Sequence, residues 1–146
     1  DCIADQCAKT LRGDCGVFAL LFITLCRIAG IPARWQSGLY VRPGDPGPHD
    51  WAMFYLAPHG WLWADCPFGS SARRNGEEDR RRHYFGSLDP WRMAANSAFQ
   101  APLAPPMTGW RQDPYDNQVG ELMVDGLGLS EAQRAWSQEV LELELL

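Results

Sequence analysis

Cys15 stands where a long apolar helix is predicted to begin. Asp14 precedes it as a good N-cap residue, and residues 17–30, which follow Gly16, are almost all apolar or small. Pro32 lies just beyond and favours the end of the helix. The free backbone N–H groups and the dipole at a helix N-terminus stabilise a thiolate relative to a thiol. The position therefore predicts a nucleophilic cysteine, provided that a base lies within reach.

A predicted β-hairpin supplies an imidazole and a carboxylate. Residues 49–57 and 60–65 have strand character, and the turn between them is expected around residues 58–59. Paired residue numbers then sum to about 114–118. An even sum puts the odd-numbered residues of both strands on one face. With a sum near the lower end of that range, Asp65 lies beside His49 on that face.

This arrangement predicts a catalytic set of three groups. The carboxylate of Asp65 orients the imidazole of His49 and stabilises its charged form. The imidazole acts as the base for the thiol of Cys15. The start of the helix is expected to pack against this face of the hairpin. Trp51 and Trp63 lie on the same face, and we interpret them as a wall of the substrate site that excludes water.

Each of the three groups also has a purely structural explanation. Cys15 could be a small packing residue, and His49, which follows Pro48, could be a surface turn residue. Asp65 could simply cap the turn over residues 66–69. The catalytic interpretation of the three residues holds only if the fold brings them together.

The remaining cysteines and histidines give weaker signals. Cys2 and Cys7 could form a bridge or ligate zinc, but no second pair accompanies them, so reduced thiols are favoured over a structural zinc module. The other thiols and imidazoles are expected to be packing groups or exposed surface groups: Cys26, Cys66, His59 and His83. We therefore predict no metal site.

The composition is that of one globular domain over residues 1–146, with 46% hydrophobic and 12% aromatic residues. A net charge of −5 and the lack of a basic stretch with interleaved aromatics argue against nucleic-acid binding. The apolar run over 17–29 is too short to cross a bilayer, so no membrane span is predicted. No signal-peptide pattern is present, which favours a cytoplasmic location. Because the first residue is Asp, the chain is compatible with a piece of a longer product that has upstream helices.

The elements that must position these groups follow from periodicity and breakers. They are helices over 1–12 and 15–29, strands over 33–41, 49–57 and 60–65, an element over 89–99 and an edge strand over 121–125. The charge run within 72–83 is expected as a solvated loop or a short exposed helix. Ser130 is predicted to cap an amphipathic helix that runs to Leu146, although alternating Glu and Leu near its end also suit a strand.

Three blocks of the chain resemble the transglutaminase-like superfamily. They are G-D-C-G with an apolar helix and L-C-R-x-A-G-I-P-A-R after it, then H-D-W-A-x-x-Y-L, then G-W-x-x-A-D. The resemblance is specific over residues 12–69. Residues 85–92 and 116–121 are similar to stretches of bacterial members.

The resemblance implies a fold, a triad and an activity. The fold is α+β and papain-like, with the nucleophile-bearing helix packed on a small antiparallel sheet. Cys15, His49 and Asp65 match the catalytic Cys, His and Asp of the family in the same order. The implied activity is thiol-dependent acyl transfer on a peptide or protein substrate, more in keeping with a peptidase or amidase than with crosslinking. The alternative is a non-catalytic domain of this fold that binds a peptide or protein partner.

Two departures from the family pattern bear on the site. Only fourteen residues precede Cys15, fewer than the family usually has. An upstream aromatic or amide side chain helps to form the oxyanion hole in this superfamily, and here Gln6 or a tryptophan is the candidate beside the backbone N–H of Cys15. The sequence has no acidic calcium loop, so no cofactor is expected.

Overall fold

The computed structural model describes residues 2–116, 118–142 and 144, and these form a mixed helix and sheet structure. The helices are α1 (Ile3–Thr10), α2 (Cys15–Ile28), α3 (Cys66–Arg74) and α4 (Glu78–His83), with a 3₁₀ turn at Glu131–Gln133. The strands are β1 (Ala33–Tyr40), β2 (Gly47–Leu56), β3 (Gly60–Ala64), β4 (Phe85–Gly86), β5 (Arg92–Asn96), β6 (Met123–Val124) and β7 (Leu127–Gly128). The predicted α+β class is confirmed.

The first five strands form one antiparallel sheet in the order β4-β3-β2-β1-β5, and β6 pairs with β7 in a separate two-stranded sheet. In the β2–β3 hairpin, the pairing of Leu56 with Gly60 gives a sum of 116, and the register holds to the pairing of Ala52 with Ala64. The predicted even register is therefore confirmed. His49, at the start of β2, and Asp65, directly after β3, thus follow the same alternation of faces.

Helix α2 begins and ends at the predicted signals. The Asp14 carboxylate accepts a hydrogen bond from the Val17 backbone N–H at 2.9 Å, which caps the first turn. After the last turn, Gly30 adopts a φ of +77°, a left-handed conformation that glycine accepts without strain. Cys15 is consequently the first residue of the helix.

Helix α2 packs on the face of the sheet opposite to the predicted one. The core cluster joins Ala19 and Ile23 of the helix to Ala52 and Phe54 of β2 and to Trp35 of β1. The expectation that the tryptophan face of the hairpin packs against the start of the helix is wrong. Alanine side chains on the even-numbered face let the helix approach closely, whereas the indoles of the odd-numbered face would hold it away.

The C-terminal part differs most from the predictions. Ser130 does start a turn, with a capping box to Gln133, but the described residues after Gln133 form no helix. The predicted helix from Ser130 is therefore wrong over 134–142, and its last positions 143, 145 and 146 lie outside the described residues. An amphipathic segment gains most of its helical stability by burying its apolar face. Here the Leu141 side chain is 86% exposed and has no such partner surface.

Two further expectations can be compared with the structure. The charge run becomes the end of α3 and the short helix α4, which has no buried residue, so the exposed-helix alternative is the observed one. Within the described part of the chain, no helix is long and apolar enough to cross a membrane.

Candidate active site

His49 and Asp65 form a buried pair. The His49 Nε2 atom lies 2.8 Å from the Asp65 Oδ2 atom, and both residues are at least nine-tenths buried. The other carboxylate oxygen of Asp65, Oδ1, accepts a hydrogen bond from the Phe68 backbone N–H at 3.0 Å and so caps α3. The ring of Phe68 stacks on the imidazole at a centroid distance of 4.9 Å. Asp65 therefore has both of the roles that the sequence left open, the helix cap and the partner of His49.

The thiol of Cys15 contacts Asp50 instead of His49. Its Sγ atom lies 3.3 Å from the Asp50 Oδ2 atom, and the described contacts of Cys15 include no hydrogen bond to His49. Since side chains alternate along β2 and α2 packs on the even-numbered face, Asp50 is the side chain that meets the start of the helix. The expected direct contact between thiol and imidazole is therefore not observed. Asp50 is missing from the predicted site because that prediction has α2 packed against the odd-numbered face.

A glycine permits this close approach of β2 to the helix start. A Cβ atom on Gly16 would lie 2.9 Å from the Asp50 Oδ2 atom and 3.0 Å from the Trp35 ring. Any larger residue at position 16 would push the carboxylate or the indole away. Gly16 is thus explained by packing against Asp50 and Trp35.

Burial and the Asp50 charge hold the Cys15 thiol in its protonated form. Burial, followed by the negative charge of Asp50, raises the pKa of Cys15 to about 12. These two effects oppose the lowering of the pKa that the helix N-terminus predicts. Burial likewise raises the pKa of Asp50 to about 6, although its hydrogen bond with Cys15 and the nearby His49 favour the charged carboxylate. The thiol and the carboxylate therefore sit together in a partly dry environment.

The segment around Asp116 and Gln118 closes one side of this site. The Gln118 side-chain Nε2 donates a hydrogen bond to Asp50 Oδ1, so one carboxylate binds the thiol and this amide. The Ser37 hydroxyl donates to the Asp116 carbonyl oxygen at 2.7 Å. A cavity of about 230 Å³ lies between this segment and the helix start, and Asp50, Asp116 and Trp35 are among its lining residues. These residues are absent from the predicted site, and the only signal for them in the sequence is the similarity of residues 116–121 to bacterial family members.

Asp116 gives a prediction for stability. Burial, together with a hydrogen bond to Asp113, raises the pKa of Asp116 to about 8. Folding therefore favours its neutral form, and the stability that this form provides is lost as pH rises through that value. Asn is a neutral replacement of the same shape. We expect Asp116→Asn to raise the melting temperature by about 2–4 °C above pH 8, as solvent screening keeps the gain near 1 kcal/mol.

Thermal unfolding at two pH values tests this expectation. At pH 3, below the ordinary aspartate pKa of about 3.9, the carboxyl is protonated in both the folded and the unfolded chain, so wild type and Asp116→Asn should unfold at nearly the same temperature. Asp45→Asn, in the exposed turn before β2, is the control and should change neither curve. An equal stabilisation by Asp116→Asn at both pH values would contradict the assignment.

The predicted tryptophan wall lines a separate pocket. Trp51 and Trp63 both donate their indole N–H groups to the Gln36 side-chain oxygen, at 2.7 and 3.3 Å. Together with Arg92 they line a pocket of about 350 Å³ on the odd-numbered face. The cavity next to Asp50 has Trp35 in its wall instead. Trp51 is nevertheless close to the imidazole of His49, at a centroid distance of 6.2 Å.

The other candidate groups are accounted for as follows. All five cysteines are free thiols, with Cys7 buried and Cys2 exposed. No group of three His, Cys, Asp or Glu side chains among the described residues is arranged to hold a metal ion. Gln6, the candidate for the oxyanion hole, lies exposed on α1. The backbone N–H of Cys15 at the helix start remains a donor of the kind that an oxyanion hole requires.

Comparison with known proteins supports the resemblance. Residues 2–66 match the family model described as the transglutaminase-like superfamily. The match spans α1, α2 and the first three strands, and it contains Cys15, His49 and Asp65. A search of curated proteins and a search of solved structures returned no match. The transglutaminase-like recognition is confirmed for this N-terminal part of the chain.

Proposed function

Starting from the transglutaminase-like match over residues 2–66, we propose that this chain catalyses thiol-dependent acyl transfer. Cys15 is the nucleophile, His49 is the general base and acid, and Asp65 orients His49. The substrate is a peptide or carboxamide carbonyl, and water is the usual acceptor of the acyl group. Peptidase or amidase activity is therefore favoured over crosslinking.

The observation that carries this proposal is the buried pair of His49 and Asp65. Because the Asp65 carboxylate contacts Nε2 at 2.8 Å, the other ring nitrogen, Nδ1, is left for the thiol. A buried, oriented imidazole of this kind is what a general base requires. Asp50, which binds the thiol, directly follows His49 in β2, and its side chain points to the opposite face of the strand. The thiol therefore has to leave Asp50 before it can meet the imidazole.

The proposed reaction has two steps. The thiol leaves Asp50, Nδ1 of His49 takes its proton, and the sulfur attacks the carbonyl carbon to form a tetrahedral oxyanion. The backbone N–H of Cys15 stabilises that oxyanion, the leaving amine takes the proton from His49, and a thioester remains. In the second step His49 deprotonates water, which attacks the thioester and releases a carboxylic acid and the free thiol. Replacing water by an amine gives a new amide.

One observation favours a second candidate function. The thiol of Cys15 is hydrogen-bonded to Asp50 and its pKa is raised to about 12. Both features are typical of an unreactive packing thiol. A transglutaminase-like domain with such a thiol would bind a peptide or protein partner without turnover. Acylation of Cys15 separates the two candidates.

The test uses p-nitrophenyl acetate, an activated ester that reports the first step without the natural substrate. We expect nitrophenol release together with an acetyl thioester located on Cys15 by peptide mapping. Cys2, an exposed thiol, gives the unassisted reference rate in the same sample, and Cys26 gives the rate of a buried thiol. Acetylation of Cys15 no faster than that of Cys2 would contradict the proposal. A peptide library with and without an added amine then identifies hydrolysis or amide formation.

A further inference from the structure

We infer that Arg92 is a positioning residue that supplies the counter-charge of Asp65 and thereby leaves His49 neutral to act as the base. This inference rests on the proposed function, because it assigns a role within the same site. Arg92 is the first residue of β5, and sequence analysis did not select it. It lies in residues 85–92, which the sequence marks only by similarity to bacterial family members.

Arg92 and His49 contact the same carboxylate oxygen of Asp65. The Arg92 Nη1 atom lies 2.8 Å from Asp65 Oδ2, the oxygen that also faces His49 Nε2 at 2.8 Å. The Asp65 side chain has no exposed surface, and that of Arg92 is 5% exposed. Water therefore cannot compensate the Asp65 charge, and the two nitrogen groups share that role.

The guanidinium of Arg92 is held in one orientation. Its Nη2 and Nε atoms contact Asp89 Oδ2 at 2.9 and 3.3 Å, which directs Nη1 towards Asp65. Asp89 is itself fixed, since it accepts hydrogen bonds from the Tyr84 hydroxyl and from the Trp91 backbone N–H. The guanidinium carbon also lies 4.5 Å from the centroid of the Phe68 ring, the ring that stacks on His49.

The charges of this cluster explain the functional consequence. Asp65 and Asp89 bring two buried or partly buried negative charges, and Arg92 neutralises one of them. Without Arg92, the imidazole of His49 would be the nearest group able to carry a positive charge. A charged imidazole cannot accept the proton of Cys15. Arg92 thus supplies next to Asp65 the positive charge that the imidazole would otherwise carry.

Other charged and titratable groups around the imidazole come from each packed element. Asp50 is the next residue on β2, and its charge interacts with the imidazole across the strand. Cys15, at the start of α2, contacts Asp50, and Arg80 of α4 lies 5.9 Å from the Phe68 ring centroid. Tyr84 stays neutral, since burial raises its pKa above the ordinary value. None of these groups contacts the Asp65 carboxylate as Arg92 does.

The test measures Cys15 acetylation by p-nitrophenyl acetate across pH in wild type, Arg92→Gln and Arg92→Lys. For Arg92→Gln we expect a lower acetylation rate at neutral pH and a wild-type rate in alkali. The pH at which the rate is half-maximal should therefore rise by about one unit. Arg92→Lys keeps the charge and should stay near the wild-type profile. Asp89→Asn weakens the anchor that directs Arg92 Nη1 towards Asp65, so it should move the profile in the same direction as Arg92→Gln by a smaller amount. It covers the case that Arg92→Gln fails to fold, and a shift in the opposite direction would contradict the inference.

Nuclear magnetic resonance of the imidazole nitrogens gives a readout that does not depend on turnover. At pH 7 the ring of His49 should carry a larger charged fraction in Arg92→Gln than in wild type, with His59 and His83 as unchanged internal references. A uniform loss of rate at every pH, or an unchanged charged fraction, would overturn the inference. If Cys15→Ala releases nitrophenol like wild type while the charged fraction still rises, the proposed function fails and the electrostatic role of Arg92 stands.

Discussion

Replacing His49 by alanine is expected to slow acetylation of Cys15 by about 10²–10⁴-fold, the usual contribution of a general base. The thiol in the structure is protonated, because burial and Asp50 raise its pKa to about 12. It therefore needs a base more than an ordinary surface thiol does. The measurement is the initial rate of nitrophenol release, with the acetyl group located on Cys15 by peptide mapping.

The matched control for this variant is His59→Ala. His59 lies exposed in the turn of the β2–β3 hairpin and has no place in the proposed site. Its substitution should leave the rate unchanged. Circular dichroism and the melting temperature must show that His49→Ala is folded, because His49 is buried against Phe68. A folded His49→Ala protein that acetylates Cys15 like wild type would remove His49 from the mechanism.

The second large effect has the opposite sign. We expect Asp50→Asn to speed alkylation of Cys15 by iodoacetamide by about tenfold at pH 8, which corresponds to about one pKa unit of the thiol. The negative charge of Asp50 and its hydrogen bond from the thiol both raise the pKa of Cys15. Asparagine removes the charge, keeps the shape and still offers an oxygen to the Gln118 amide. Burial remains, so the thiol of the variant stays above its ordinary pKa.

The pH dependence distinguishes a charge effect from a packing effect. The pKa of Asp50 is about 6, so at pH 5 its carboxyl is mostly protonated in wild type as well. Wild type and Asp50→Asn should then react at similar rates at pH 5 and diverge as pH rises through 6. Asp14→Asn is the control, because asparagine still caps α2 and the Asp14 charge is the weakest influence on Cys15. An equal gain at pH 5 and pH 8 would show that loosened packing, and not charge, governs the thiol.

Local signals predicted the elements that carry the site. Asp14 and Gly30 delimit α2 as expected, because a cap and a left-handed glycine depend only on neighbouring residues. The hairpin register was also predictable, since a short turn determines which residues pair. The C-terminal helix was not, because its apolar positions suit a helix only if another surface covers them.

The sequence by itself determined which chemical groups the chain carries and where along its elements they stand: a thiol at the first residue of α2, and an imidazole and a carboxylate near the ends of two paired strands. Tertiary structure alone decided which groups meet. Helix α2 packs on one face of the sheet because of the sizes of side chains that are far apart in sequence. This packing places the thiol next to Asp50. Arg92 contacts Asp65, and Gln118 contacts Asp50. Both contacts join residues that are far apart in sequence, so no local pattern predicts them.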